Sequence, residues 1–280
     1  MIVLKEKYLI ALDLDGTLLT DDKKIAPESK EMIRLLMEQG HIVVIATGRT
    51  KRLSMLYYQE LGLQTPIINS NGAVMHHPLD KSWGNYHLPL NLDTAMEIVD
   101  SCYHYQSKNI LAAVQDDVYL DQYDQKIADF YGYKEENDGF IVGNVKERLK
   151  ANPTVMLLYP EEKYISQLTS QLDQLQTEVV DHRNWGAPFH VIEVMNKQMN
   201  KEEALKKLAD EFDIPRKRII AFGDGSNDLE MLDYAGIGVA MNNAVDELKT
   251  VAKFHTGTNE DFGVAQFLAE YFNVKHPISS

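Results

Sequence analysis

Cysteine is nearly absent: Cys102 is the only one in 280 residues. One thiol makes neither an internal disulfide nor a zinc cluster, so a reducing cytoplasm is the expected location. Basic charge is also scarce. Lys and Arg number 28 against 42 Asp and Glu, a formal net charge of −14 at pH 7. Nucleic acid and anionic membranes both require a basic surface, so neither is an expected partner. No apolar run approaches the ~18 residues of a membrane span. The run Tyr8–Leu12 after Lys5 and Lys7 is too short for a secretory signal, and Asp13 ends it. The sequence has no repeat, Walker P-loop, zincin motif or nucleophile elbow, and its nine histidines lack ligand spacing. Asp224, Ser226 and Asp228 echo the start of a calcium loop, but Leu229 and Ala235 occupy its glycine and glutamate positions, which excludes it.

What is present suits a globular chain: 44% hydrophobic and 25% charged residues, and a length fitting roughly two domains. The N-terminal third alternates periodicities. Tyr8–Leu14 is an apolar run that reads as a buried strand, and Pro27–Gln39 reads as a helix stopped by Gly40. Ile42–Ala46 is a second strand, Lys51–Leu61 a helix and Pro66–Asn69 a third strand. This order predicts parallel pairing with right-handed crossovers. The style returns late in the chain. It gives strands at Val191–Val194, Arg218–Phe222 and Gly236–Met241, and helices from Asn200, at Asn227–Leu232, Ala244–Ala252 and Glu260–Phe272. Between them the texture changes. A helix over Asn91–Tyr105 precedes a hairpin around Gln115-Asp116-Asp117, a strand at Val155–Tyr159, a helix at Ser166–Leu175 and a strand at Thr177–Val180. The expected organisation is therefore one α/β domain of residues 1–82 and 190–280, interrupted by an inserted α/β domain of residues 83–189. Trp83 and Trp185 stand near the junctions, each followed by glycine. They are either two loop anchors or the two strands of a hinge.

Ligands bind at the carboxyl ends of the strands in a doubly wound parallel sheet. After the first strand come Asp13-Leu14-Asp15-Gly16-Thr17. After the second come Thr47-Gly48-Arg49, and after Arg218–Phe222 come Gly223-Asp224-Gly225-Ser226-Asn227-Asp228. Lys201 begins the helix that comes after Val191–Val194. Converging on one edge, these groups suit magnesium-dependent phosphoryl transfer, because Mg2+ takes oxygen ligands and offsets charge between carboxylates and phosphate. One carboxylate can attack phosphorus, and the carboxylate two residues on can protonate the leaving oxygen and later activate water.

These segments resemble the motifs of the haloacid dehalogenase superfamily of phosphatases. Asp13-Leu14-Asp15-Gly16-Thr17-Leu18-Leu19 is similar to the first motif, Thr47 to the second, Lys201 to the third and Gly223-Asp224-x-x-Asn227-Asp228 to the fourth. Asn69-Ser70-Asn71-Gly72-Ala73, Asp228–Leu232, Val239–Met241 and Gly263–Ala265 resemble the Cof-type branch, which carries a large α/β cap between the second and third motifs. The resemblance implies a doubly wound parallel-sheet core with an inserted cap. It further implies Asp13 as nucleophile and metal ligand, and Asp15 as general acid and base whose carbonyl also touches Mg2+. Thr47, Gly48, Lys201 and Asn227 would surround the phosphoryl group, and Asp224 and Asp228 would complete the metal site. Glu202 replaces a glycine common after the lysine, and Phe262 interrupts a usual Asp-Gly-Val. Lys197 competes with Lys201, but Ala204-Leu205 and the N-cap spacing of Asn200 with Glu203 favour Lys201.

The implied activity is a cytoplasmic phosphatase acting on small phosphate esters, of the sugar, flavin or pyridoxal type. A sugar phosphomutase on the same core and a phospho-ligand sensor without turnover are the alternatives. Arg49 either contacts the substrate phosphate or makes a structural ion pair. Tyr119, His182, Arg183, Asn184 and His190 are candidates to face the substrate or simply surface positions. Asp21-Asp22, Asp116-Asp117 and His76-His77 read as turns.

Overall fold

The computed structural model describes residues 6–130, 140–175, 180–184, 190–198 and 200–274. The chain divides into two compact units. One comprises Met1–Arg49, Ser54–Tyr86 and Asn200–Ser280, the other Thr50–Leu53 and His87–Met199. In chain order the first unit begins with β1 (Leu9–Leu12), α1 (Pro27–Glu38), β2 (Ile42–Ile45), α2 (Lys51–Glu60), β3 (Ile67–Asn69), β4 (Val74–His76) and β5 (Asn85–His87). The second contains α3 (Leu92–His104), β6 (Asn109–Val114), β7 (Asp117–Leu120), α4 (Gln125–Phe130), β8 (Phe140–Val142), α5 (Val145–Arg148), β9 (Val155–Tyr159), α6 (Ile165–Leu175), β10 (Val180–Asn184) and β11 (Ile192–Asn196). The first resumes with α7 (Lys201–Glu211), β12 (Ile219–Gly223), α8 (Leu229–Tyr234), β13 (Ile237–Ala240), α9 (Asp246–Val251), β14 (Phe254–His255) and α10 (Gly263–Phe272).

The first unit is built on a five-stranded sheet of order β14-β13-β12-β1-β2, parallel throughout. Helices cover both faces, so the inner strands need apolar side chains on both sides and read as continuous runs. Every residue of β1 is fully buried, as are the first four of β12. The helices supply matching faces. Met32, Ile33 and Leu36 of α1 are buried, while Arg34 points outward and pairs with Glu31 and Glu38. On α7, Leu205, Leu208 and Ala209 are buried. Helix α1 packs against α10, and α7 against α8. A small sheet of order β3-β4-β5 joins β2 through one parallel bridge, Ala46 to Ile68.

The second unit has a six-stranded sheet of order β10-β11-β9-β6-β7-β8, antiparallel except between β7 and β8. Successive residues alternate between its faces. Ile110, Ala112, Met156 and Leu158 join one cluster with Ile98, Cys102, Leu168 and Leu172 of the helices. Leu111, Ala113, Val155 and Leu157 join another with Ile127 and Phe140. Cys102 is buried, and burial pushes its thiol up to about 12, so it stays protonated. Among the described residues no helix is long and apolar enough to cross a membrane.

Several expectations need correction. Val191–Val194, read together with residues 190–280, belongs to β11, which pairs with β9 and β10 in the other sheet. Its β-branched composition identifies a strand but carries no information about which sheet it joins. The third strand, β3, lies parallel beside the end of β2 as expected, but only through the single Ala46–Ile68 bridge, and its longer pairing is antiparallel with β4. His76, read as a solvated turn, lies buried in β4. Only Val180 of the strand expected at Thr177–Val180 is described; it begins β10, which continues to Asn184. Trp83 hydrogen-bonds to Glu211 within the first unit, and Trp185 lies outside the described residues.

Ile220 is fully buried in the central strand of the five. Ile220→Ala is expected to lower unfolding free energy by about 2–5 kcal/mol through lost burial and the cavity left behind. Urea denaturation would read this as a lower midpoint at unchanged slope.

Candidate active site

The parallel register brings the functional residues together. Leu12 stands beside Phe222 on one side and Ile45 on the other. The residues just past the three strands therefore emerge at one edge: Asp13, Asp224 and, one residue past Ala46, Thr47. The Asp13 N–H still donates to the Phe222 carbonyl at 3.2 Å, so its position is fixed by the ladder. Lys201 arrives differently. It is the first residue of α7, where Asn200 caps the helix by accepting the Glu203 N–H at 2.7 Å. Sequence order sets Lys201 after an apolar run expected in the same sheet, whereas a helix N-terminus delivers it.

Lys201 is completely buried, and its ammonium donates to Asp13 Oδ1 at 2.6 Å and to Asp228 Oδ1 at 2.7 Å. Asp228 is buried as well, and its other oxygen accepts the backbone N–H groups of Asp224 and Gly225, each at 3.1 Å. Thr17 Oγ1 donates to Asp224 Oδ1 at 3.0 Å. Gly16 is needed here. Its φ is +72°, and a Cβ would stand 2.2 Å from Asp224 Oδ2. Asp13, Asp224 and Asp228 each offer an oxygen within 4.8 Å of the others.

Three carboxylates thus face one ammonium. Burial pushes the Asp13 carboxyl up; Lys201 opposes this, but Asp228 and Asp224 add to it, and the value reaches about 8. Burial and then Asp228 raise Asp224 to about 6. For Lys201, burial favours the neutral amine, but Asp13 and Asp228 outweigh it and hold the ammonium charged. Asp13 stays raised because burial, joined by two further carboxylates, outweighs the single ammonium, and Lys201 is raised because two of those carboxylates bond it. A compact set of oxygen donors with surplus negative charge fits a hard divalent cation such as Mg2+.

Asp15 sits in the opposite environment. Arg49 grips it with both ends of the guanidinium, Nε to Oδ2 at 2.6 Å and Nη2 to Oδ1 at 2.7 Å, and the Lys23 ammonium lies 2.9 Å from Oδ1. Partial burial works to raise this carboxyl, but the hydrogen bonds from Arg49 and Lys23 prevail and hold it at about 2. Arg49 therefore makes an ion pair with Asp15, and it also lies over the Tyr57 ring. Thr47 Oγ1 accepts the Arg49 N–H at 3.1 Å, and Asn227 Nδ2 donates to Asn71 Oδ1 at 2.9 Å. Gly48 is exposed beside them.

Lys201, preferred over Lys197 on its spacing, touches Asp13, while Lys197 is exposed just past β11. Glu202 pairs with Lys206 at 2.6 Å, so the replaced glycine leaves the Lys201 contacts intact. Phe262 takes a left-handed conformation at the start of α10. Among the other candidates, Tyr119 is half-buried on β7, His190 precedes β11, and His182, Arg183 and Asn184 lie on β10, where only the backbone is described. Lys23 and Tyr57 joined the site without any motif to announce them. The signal available was only a lysine in the turn after Asp15 and a tyrosine on the helix after Arg49.

A family model described as haloacid dehalogenase-like hydrolase matches residues 10–268. The chain is 48% identical to 5-amino-6-(5-phospho-D-ribitylamino)uracil phosphatase YitU of Bacillus subtilis, covering 95% of this chain and 98% of that protein. It is 30% identical to a second B. subtilis phosphatase of the same name, YwtE, over 92% of this chain and 96% of the other. A haloacid dehalogenase-like hydrolase from Bacteroides thetaiotaomicron superposes with a TM-score of 0.81 at 25% identity, covering 95% of this chain and all (100%) of that one.

The raised carboxyls set a pH dependence in metal-free protein. Asp13 and Asp224 have folded values of about 8 and about 6 against an ordinary 3.8. Between these limits the folded state holds more protons than the unfolded state, so stability falls as pH rises. The depressed Asp15 acts in the opposite sense, at lower pH. Thermal melting in EDTA is expected to give a lower Tm near pH 8 than near pH 5.5, and excess Mg2+ to restore the loss at pH 8. An EDTA curve that rises over this range would contradict the charge surplus.

Proposed function

This chain belongs to the haloacid dehalogenase-like hydrolase family, and from that membership we propose a cytoplasmic, Mg2+-dependent phosphatase that cleaves small phosphate esters through phosphorylated Asp13. The observation that carries the reading is the buried Lys201 bonded to Asp13 and Asp228 beside Asp224. Asp13, Asp224 and the Asp15 carbonyl would hold the metal, with Asp228 behind them. When bound, Mg2+ supplies the positive charge that lets a phosphoryl group approach these carboxylates.

Lys201 holds one Asp13 oxygen, so the other is the one to attack. Asp13 forms a bond to phosphorus in line with the ester oxygen, whose bond to phosphorus breaks. The departing oxygen takes a proton from Asp15. Held at about 2 by Arg49 and Lys23, that carboxyl gives no proton near neutrality, so its acid role requires it to leave both cations. In the second half Asp15 removes a proton from water, which attacks phosphorus and frees Asp13. The Thr47 hydroxyl already accepts the Arg49 N–H and keeps its own hydrogen for a phosphoryl oxygen. The Gly48 N–H, Asn227 and Lys201 complete the phosphoryl cradle, and Arg49, once off Asp15, would turn its guanidinium to the substrate phosphate.

The second unit is inferred to act as a cap that sets specificity. Similarity to YitU supports, as the proposed substrate, a phosphate on a sugar-alcohol chain carrying a heterocycle, as in 5-amino-6-(5-phospho-D-ribitylamino)uracil. Release of inorganic phosphate from that compound, compared with glucose 6-phosphate and pyridoxal phosphate, tests the choice. EDTA is expected to abolish turnover and Mg2+ to restore it. Asp13→Asn is expected to lower kcat by more than about a thousandfold while preserving the fold. Near-wild-type turnover by that variant would remove Asp13 from the nucleophile role.

A further inference from the structure

One loop beside the site is folded against backbone preference. Ser70 (φ 48°), Asn71 (φ 53°) and Gly72 (φ 98°) are three successive residues in the left-handed region. Residues with a Cβ seldom adopt it, and they do so where surrounding contacts over-determine the geometry. Those contacts are all present. Buried Asn69 donates through Nδ2 to the Arg49 carbonyl at 3.0 Å and to Ser54 Oγ at 2.8 Å. The Ser70 N–H donates to the Arg49 carbonyl at 3.0 Å, and the Asn71 N–H to the Thr47 carbonyl at 3.1 Å. Gly72 lies directly on the backbone that starts α7. A Cβ there would stand 2.2 Å from the Asn200 carbonyl oxygen, so only glycine fits ahead of Lys201.

The Asn71 side chain adds a second set of links. Its Oδ1 accepts Asn227 Nδ2 at 2.9 Å. Its amide also covers the α-carbon of Gly48, where a Cβ would stand 3.1 Å from Oδ1. Asn227 Oδ1 in turn lies 2.5 Å from the Cβ position of Gly225. One small loop therefore touches the segments carrying Thr47, Lys201 and Asn227. Left-handed backbone alone does not account for asparagine at position 71. Glycine adopts that conformation more easily but offers no acceptor to Asn227.

We propose that Asn71 is a positioning residue for phosphoryl transfer: it locks Asn227 to the Thr47–Gly48 backbone, so that the uncharged donors for the phosphoryl oxygens are spaced before substrate arrives. Donors fixed in advance need no reorganisation during the reaction. The proposal rests on the phosphatase reading given above.

The test measures kcat, KM, Tm and inhibition by vanadate for Asn71→Gly, Asn227→Ala and the double variant, with para-nitrophenyl phosphate and saturating Mg2+. Asn71→Gly is expected to lower kcat/KM by about 10- to 100-fold and to weaken vanadate inhibition by a similar factor, with Tm unchanged or raised. The two losses are expected not to multiply in the double variant, because both variants break the same link. Wild-type turnover and vanadate inhibition in Asn71→Gly would overturn the proposal, as would losses that multiply. A kcat/KM loss that tracks a fall in Tm and spares vanadate inhibition would assign a purely structural role and overturn it too. Should Asn71→Gly not fold, Asn71→Asp decides. It keeps both the acceptor and tolerance of the left-handed region, so Asn227→Ala is expected to cost as much in that background as in wild type, and a negligible cost would overturn the link. A wild-type protein that releases no phosphate would instead sink the phosphatase reading itself.

Discussion

The arrangement of this molecule depends on one buried ammonium. Lys201 has no exposed surface, and its hydrogen bonds to Asp13 and Asp228 are what permit it to be there. Removing a charge from water costs several kcal/mol unless a partner replaces the lost hydration. Two carboxylates do so, and a third, Asp224, remains in surplus. The strand ends, the Asn200 cap and the Asp228 hydrogen bonds to Asp224 and Gly225 all serve to bring these charges to one point. A chain with a net charge of −14 does not draw in a phosphate ester by its overall field. In the proposed reaction attraction must be local, and a cation bound at the carboxylate surplus of the sheet edge would create it.

Asp13 and Asp15 are separated by a single residue yet titrate in opposite directions. The first points into the sheet edge, where burial and like charge raise it; the second meets Arg49 and Lys23 and is lowered. In the proposed reaction Asp13 acts as a carboxylate and Asp15 as the acid, the reverse of what these surroundings favour by themselves, so Asp13 needs the charge of a bound cation and Asp15 needs release from Arg49 and Lys23. The Arg49–Asp15 pair has a further consequence. Arg49 makes two of the hydrogen bonds that hold Asp15, so a substrate phosphate that attracts Arg49 leaves Asp15 held by Lys23 alone. Binding and readiness of the acid are thereby coupled in the proposed reaction.

Much of this was legible in the sequence, for identifiable reasons. The strands β1, β2 and β12 are apolar on both faces, so their run lengths marked them, and Asp13, Thr47 and Asp224 stood out as strand-end residues. The Asn200–Glu203 spacing marked the start of α7. Long-range pairing escaped. Nothing in Val191–Val194 distinguishes a strand of one sheet from a strand of another, and the partners that decide it, β9 and β10, lie elsewhere in the chain. His76 escaped because polarity suggested exposure, whereas β4 buries it. Lys23 and Tyr57 escaped because their role exists only once the turn after Asp15 folds beside α2.

Three departures from local rules gather in one place. A lysine opens a helix whose N-terminal dipole disfavours it. Three carboxylates share a space with one cation, and Ser70 and Asn71 adopt a backbone conformation that glycine would hold more easily. Each costs stability alone, and all lie at or beside the edge formed by the ends of β1, β2 and β12. Behind that edge burial follows polarity: β1 and the apolar residues of β12 are fully buried, and α1 exposes Lys30, Arg34 and Glu38. A sheet whose apolar burial is this complete tolerates a strained, charge-rich rim, because the ladder fixes where each strand ends whichever residues stand beyond it. The rim residues are thus free to be selected for their contacts with one another, and the Asp13–Lys201–Asp228 group and the Asn71–Asn227 link are two outcomes of the same freedom.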